Sequence, residues 1–156
     1  MTGRNAGASS AGYSGTPLPR KLGIKPGARV ALVGAPAGFE DLLGPTEAAV
    51  LERRDARHLA AIEDGETWDV VVYFVTRRTT IERDFAKLAG AISKAGAIWI
   101  AWPKRSSGVQ TDLTENVLRD ICLPSGMVDN KVCAIDDTWS GLRFVWRLEF
   151  RGTRPK

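Results

Sequence analysis

Two short stretches of this 156-residue chain concentrate side chains able to do chemistry. In the first, Lys104, Arg105, Ser106, Ser107 and Gly108 run up to Thr111 and Asp112. Cations, hydroxyls and a glycine ahead of a helix start suit a phosphate or carboxylate, because a helix N-terminus presents unpaired N–H groups and the positive end of its dipole. A plainer role is the commoner one for such residues. Thr111 or Asp112 then caps the helix, the cations are solvated, and Asp112 repels an anion. The spacing is not that of a P-loop, which needs GxxxxGK[ST]. In the second stretch, Asp136, Asp137, Trp139, Ser140 and Arg143 surround a turn. Adjacent carboxylates can work as an acid–base pair or bind a divalent cation, and they are also common turn formers. Trp139 can stack on a ligand ring or staple the hairpin to a sheet. Asn130 and Lys131, inside an expected strand, need polar partners that a ligand or Asp129 would provide.

Other chemistries are poorly served. Cys122, Cys133 and the lone histidine, His58, show no metal-ligand spacing. Both thiols read as small core side chains in a reducing, cytoplasmic compartment. No GxSxG elbow accompanies Ser106 or Ser107, so hydrolysis is not expected.

The elements that must position these residues follow from hydrophobic patterning. Residues 1–12 are Gly, Ala, Ser and Asn-rich and are expected to be a disordered tail, and Tyr13 to Lys25 an approach segment able to act as a lid or to pack on the sheet. Arg29 to Val33, Asp69 to Val75 and Ala97 to Trp102 are nearly unbroken apolar runs, the pattern of parallel strands covered on both faces. Ala48 to Leu51 is a weaker strand, and Met127 to Ile135 another. Helices are expected at Phe39–Leu43, for a turn at His58–Ile62, from Thr79 to a stop at Gly96, and behind Asp112. Thr79 with Glu82 and Asp112 with Glu115 have capping-box spacing. From Leu142 to Phe150 apolar and polar residues alternate, as in an antiparallel strand with one wet face. The order predicts one α/β domain over 13–150: a three-layer, Rossmann-like, mostly parallel sheet ending in an antiparallel hairpin. In such a sheet ligands gather at the carboxyl ends of the strands. The candidate loops there are Gly34–Phe39, Pro103–Thr111 and Asp136–Gly141.

Charge is unevenly spread. The net charge is +4, but residues 1–28 and the C-terminal tail 151–156 carry no acid, and residues 29–150 sum to −3. Basic ends on an acidic body read as solvated tails, so nucleic acid is not the expected partner. No apolar run approaches the length of a membrane span.

Lys25-Pro26-Gly27-Ala28-Arg29-Val30-Ala31-Leu32 resembles the entry to the first strand of class I S-adenosylmethionine-dependent methyltransferases, and Trp68-Asp69-Val70-Val71 is similar to the start of their fourth. The resemblance implies a cofactor turn after the first strand, where this chain has Gly34, Pro36 and Gly38, and a ribose contact from Glu52. The turn departs from the family's glycine-rich pattern, since Pro36 lacks an N–H and fixes φ. The cofactor is therefore unassigned and S-adenosylmethionine doubtful. A second resemblance covers about residues 11–148. Ala11 to Leu18, Lys21-Leu22-Gly23, Trp102-Pro103-Lys104, Ser107-Gly108, Thr111 to Thr114, Val128 to Ala134 and Trp139 to Leu142 are similar to the bacterial domain of unknown function numbered 3052. That resemblance implies a small cytosolic protein and transfers no activity.

The reading that results is a non-catalytic Rossmann-like module binding a small anionic ligand or a protein partner through the Lys104–Thr111 and Asp136–Gly141 loops. The alternative is a degenerate methyltransferase-like transferase for a nucleotide-like or other anionic substrate, with Lys104 holding charge and Asp137 or Asp112 as base.

Overall fold

The computed structural model describes residues 15–59 and 67–151. The tail expected at 1–12, most of the one at 151–156 and the end of the turn at 58–62 lie outside them. In chain order the elements are α1 (Leu18–Lys21), β1 (Arg29–Val33), α2 (Phe39–Leu43), β2 (Val50–Arg54), β3 (Trp68–Phe74), α3 (Arg78–Ala91), β4 (Ile92–Pro103), α4 (Glu115–Cys122), β5 (Met127–Ala134), β6 (Trp139–Trp146) and α5 (Leu148–Arg151).

The strands make one sheet in the order β2-β1-β3-β4-β6-β5. The first four are parallel, and β6 runs antiparallel to both β4 and β5. The three apolar runs are thus neighbours in the middle of the sheet, buried on both faces. Alternate residues serve opposite layers. Val71, Tyr73, Ile98, Ile100 and Phe144 meet Ile81, Phe85 and Leu88 of α3 and Leu118 of α4. Val30, Leu32, Val70, Val72 and Trp99 meet Leu22 beside α1 and Phe39 and Leu43 of α2.

The approach segment packs on the second face. The buried indole N–H of Trp99 donates to the Leu22 carbonyl at 2.9 Å and fastens the chain where it leaves α1. Trp99→Phe keeps an aromatic ring but is smaller, leaving a cavity and that carbonyl without its partner. We expect a loss of about 2–3 kcal/mol, or roughly 4–12 °C in Tm by calorimetry. An unchanged Tm would show that neither the bond nor the indole's bulk holds the segment.

Several boundaries differ from the sequence reading. β2 begins at Val50, because the amides of Ala49 and Val50 bond Ala28 and Ala48 turns on the Thr46 hydroxyl. α3 ends at Ala91, not near Gly96, because Ile92 already pairs with Trp68 as a strand residue. The next regular pair is Val70 with Ala97, so the chain bulges between them. Gly96 sits in that bulge, where a Cβ would lie 3.0 Å from the carbonyls of Trp68 and Asp69. β6 stops at Trp146, since its partner strand begins opposite it at Met127. Residues 148–151 coil into α5 instead, with Phe150 edge-on to Trp146. Arg151 belongs to that turn, its Nε donating to the Trp146 carbonyl at 2.7 Å.

Candidate functional site

The chain leaves β1 towards β2 on one side and returns to β3 on the other, so strand order reverses between β1 and β3. A crevice forms there at the carboxyl ends, the usual ligand position in such sheets. It is flanked by the turn after β1, the end of β3, the loop after β4 and the β5–β6 hairpin. The hairpin reaches this end because Trp139 pairs with Pro103.

Gly34, Pro36 and Gly38 stay together in the turn after β1. Gly34 has φ +72°, and a Cβ there would lie 2.9 Å from the Phe74 carbonyl oxygen. Arg53, near the end of β2, gathers the rest of the turn. It donates to the Ala35 carbonyl at 2.8 Å and to the Pro36 carbonyl at 2.9 Å. The same guanidinium forks onto Glu40 with two bonds of 2.7 Å. Its hydrogen bond holds the Glu40 carboxyl below the ordinary carboxylate range. Glu52 lies opposite Ala31 in mid-strand and is bound by Arg54 at 2.8 Å. Phe74 packs edge-on between Phe39 at 5.0 Å and Trp139 at 5.1 Å. Arg53→Ala is expected to speed amide exchange at Phe39, whose N–H bonds Pro36, by about tenfold through local opening. Tm should barely move, because an exposed ion pair adds little to global stability. Unchanged exchange would mean that the turn holds its own shape.

A groove of about 690 Å³ opens beside the crevice, lined by Trp102, Pro103, Arg105 and residues 108–115. Its wall is latched to the end of β3. The Thr111 hydroxyl donates to the Thr76 carbonyl at 2.6 Å and accepts from the Leu113 amide. Asp112 accepts from the Arg78 amide at 2.8 Å and so caps α3 from a distant segment. Thr114 caps α4, accepting from Val117. Both expected capping boxes are thereby replaced: Glu82 pairs with Arg78 and Glu115 with Arg119. Of the expected ligand residues, Gly108 and Thr111 line the groove with Arg105. Lys104, Ser106 and Ser107 form the turn beside it. The Ser107 hydroxyl is committed there, donating to the Lys104 carbonyl at 2.7 Å and accepting from Val109. Asp137, Trp139, Ser140 and Arg143 belong to the hairpin and do not line the groove. Asp136 accepts from the amides of Thr138 and Trp139 at 2.8 and 2.7 Å, as a turn former does. Asp137 is exposed, Ser140 lies opposite Trp102, and Arg143 lies opposite Trp99.

No family model matches the chain, and no curated protein matches it. Solved structures do. A S-adenosylmethionine-dependent methyltransferase from Aquifex aeolicus superposes with a TM-score of 0.57 at 15% identity, over 80% of this chain and 85% of that one. A fibrillarin pre-rRNA processing protein from Methanococcus jannaschii gives 0.56 at 18% identity, over 79% and 68%. Aeropyrum pernix fibrillarin with natively bound S-adenosyl-L-methionine gives 0.54 at 16%, over 86% and 70%. The fold is that of the class I methyltransferases.

The methyltransferase-like fold does not bring a matching donor set. A nucleoside held at the switch point needs backbone N–H groups in the first turn and a carboxylate beyond the second strand. This chain presents two carbonyls bound to Arg53, a proline and a guanidinium. Pro36 and the two Arg53-bound carbonyls are where it departs from that donor set.

A buried cluster escaped the sequence reading. Asp84 of α3 is 2% exposed. It accepts from the Tyr73 hydroxyl at 2.7 Å and from Arg83 at 2.8 and 3.1 Å. Burial pushes its carboxyl upward, but the bonds from Arg83 and Tyr73 outweigh that and set it below its ordinary value. Burial, then the bond to Asp84, raises the Tyr73 phenol. The signal was available: Asp84 follows Ile81 by three residues, on the core stripe of α3, where an acid implies a partner. The Arg53 clamp had no such signal, since its parts meet only in the folded chain.

Among the described residues no helix is long and apolar enough to cross a membrane.

Proposed function

We propose that the chain is a degenerate methyltransferase-like transferase acting on a nucleotide-like or other anionic substrate. What supports this reading is the shared fold, which superposes on these structures over about four-fifths of the chain. The groove beside the crevice would take the substrate, with Arg105 supplying positive charge at its wall. Asp112 is engaged with the α3 amide and Asp137 lies outside the groove, so neither of the two expected bases is free beside the substrate. Calorimetry with S-adenosylmethionine, S-adenosylhomocysteine and nucleotides, each near 1 mM, the weak end of the affinity scale, tests it. Saturable heat that falls on Arg105→Gln supports the reading. Silence with every compound removes it.

A second reading, a non-catalytic module for a small anionic ligand or a protein partner, is favoured by one observation: Arg53 engages the turn that a methyltransferase would offer its cofactor. We also propose membership in the bacterial domain of unknown function numbered 3052 and a cytosolic location. The Trp102-Pro103-Lys104 and Val128 to Ala134 motifs support the first, and the free thiols of Cys122 and Cys133 the second.

A further inference from the structure

The polar side chains that line the groove beside the crevice divide into two groups. Most are committed to the fold. The Thr111 hydroxyl bridges the Thr76 carbonyl and the Leu113 amide, Asp112 caps α3, and Thr114 caps α4. Glu115 is held by Arg119 at 2.8 Å. Arg105 and Gln110 make up the second group. Both line the groove, and among the described residues neither side chain has a hydrogen-bond or ion-pair partner. The loop that carries them is shaped without their help. The Ser107 hydroxyl donates to the Lys104 carbonyl and accepts from the Val109 amide, and the Lys104 amide donates to the Thr138 carbonyl at 2.7 Å.

The rest of the lining is largely apolar. Trp102 and Leu113 are buried, whereas Val109, next to Gln110 in sequence, is 43% exposed. The groove therefore offers an uncovered apolar side chain, a planar amide and a guanidinium. A side-chain amide carries a donor and an acceptor side by side, and the edge of a nucleobase presents their complement. The ring's flat face suits Val109. A volume of about 690 Å³ lies within the roughly 300–1,000 Å³ of small-molecule sites. A bare phosphate suits the groove less well. It would meet Asp112 and Glu115 on the same wall as Arg105, and like charges brought together disfavour such a partner. It would also leave Gln110 and Val109 without a role.

We propose that the groove takes a nucleoside monophosphate, with Gln110 reading the edge of the base and Arg105 meeting the phosphate. Gln110 is then the specificity-determining residue. This role rests on the transferase reading and gives its substrate a base as well as a charge.

The test is calorimetry on the full chain with adenosine, guanosine, cytidine and uridine monophosphates and with ribose 5-phosphate, at constant low salt. Saturable binding is expected for at least one nucleotide, with Kd on the order of 1 mM or below, and a clear ranking among the four bases. Gln110→Leu keeps the bulk and removes both hydrogen-bonding functions. It should weaken the preferred nucleotide about tenfold, the lower part of what a bidentate base contact supplies. The ranking should collapse, and ribose 5-phosphate should bind as it does to the parent. Arg105→Gln should weaken every compound alike. Tm should be unchanged in both variants, since neither side chain bonds the fold. Nucleotide binding that falls on Arg105→Gln but keeps its strength and ranking on Gln110→Leu overturns this role and leaves the transferase reading standing. Silence with every nucleotide removes both. Ribose 5-phosphate binding as tightly as the best nucleotide overturns base recognition. A single-stranded tetranucleotide binding more tightly than any monophosphate overturns the small-molecule source.

Discussion

Alanine at position 34 is expected to destabilise the fold by about 3 kcal/mol, a fall in Tm of roughly 6–12 °C for a chain of this size. Two terms add. Gly34 has φ +72°, and a side chain in that left-handed region costs about 1–2 kcal/mol. The new Cβ would also lie 2.9 Å from the Phe74 carbonyl oxygen. That atom is backbone in a paired strand, so relief requires β1 and β3 to part where the crevice begins. Gly38→Ala separates the terms. Gly38 has φ +81° with open space around the missing Cβ, so its variant should lose only the conformational part, about 1–2 kcal/mol. Equal losses in the two variants, measured by calorimetry, would remove the close approach from the account. The comparison bears on function too. Strand spacing demands a glycine at position 34 whether or not a cofactor ever sits there, so the residue that most suggests a cofactor turn is weak evidence for one.

That distinction explains why the fold was legible in the sequence and the site was not. Val30 to Val33, Val70 to Val75 and Ala97 to Trp102 are local signals, and burial on both faces leaves a parallel, covered strand as the simplest solution. Helix boundaries were legible to the extent that they are local. α2 runs from Phe39 to Leu43 as patterned, whereas α3 is capped by Asp112, thirty-four residues away in sequence. Asp112 and Glu115 have the spacing of a local cap, and nothing in that spacing reveals that the carboxylate reaches another helix. Hydroxyl chemistry was misdirected in the same way. Ser107 and Thr111 look available in the sequence, but each closes a backbone bond that shapes the loop. Arg53 and Glu40 drew no attention and are the pair that sets the turn after β1. A site assembled by side chains from separate elements leaves a trace in sequence only when one member violates its own element's pattern, as Asp84 does in α3.

Asp84→Ala should cost about 3 kcal/mol, because the buried Tyr73 hydroxyl loses its bond to a charged acceptor and finds no replacement. Arg83 adds little to the loss: its side chain is 65% exposed and is solvated once released. Asp84→Asn keeps an oxygen for Tyr73 and should lose less, about 1–2 kcal/mol. The pH dependence then identifies the charge. In the folded chain Asp84 is held below the ordinary carboxyl value of 3.8. A carboxyl lowered in this way contributes stability that is complete above the unfolded value and disappears as pH falls through the folded one. The gap between parent and Asp84→Asn should therefore be flat from about pH 5 to 7 and close below about pH 4. Tyr73 has the opposite sign. Its phenol is raised above the ordinary value of 10.0, so its contribution is complete below that value and declines as pH climbs beyond it. Tyr73→Phe should lack that alkaline decline while keeping the acid one, since Asp84 and Arg83 remain. Denaturant midpoints across pH 2 to 11 separate the two limbs. An Asp84→Asn gap that stays open down to pH 2 would mean that the ionised carboxylate is not what holds β3 to α3.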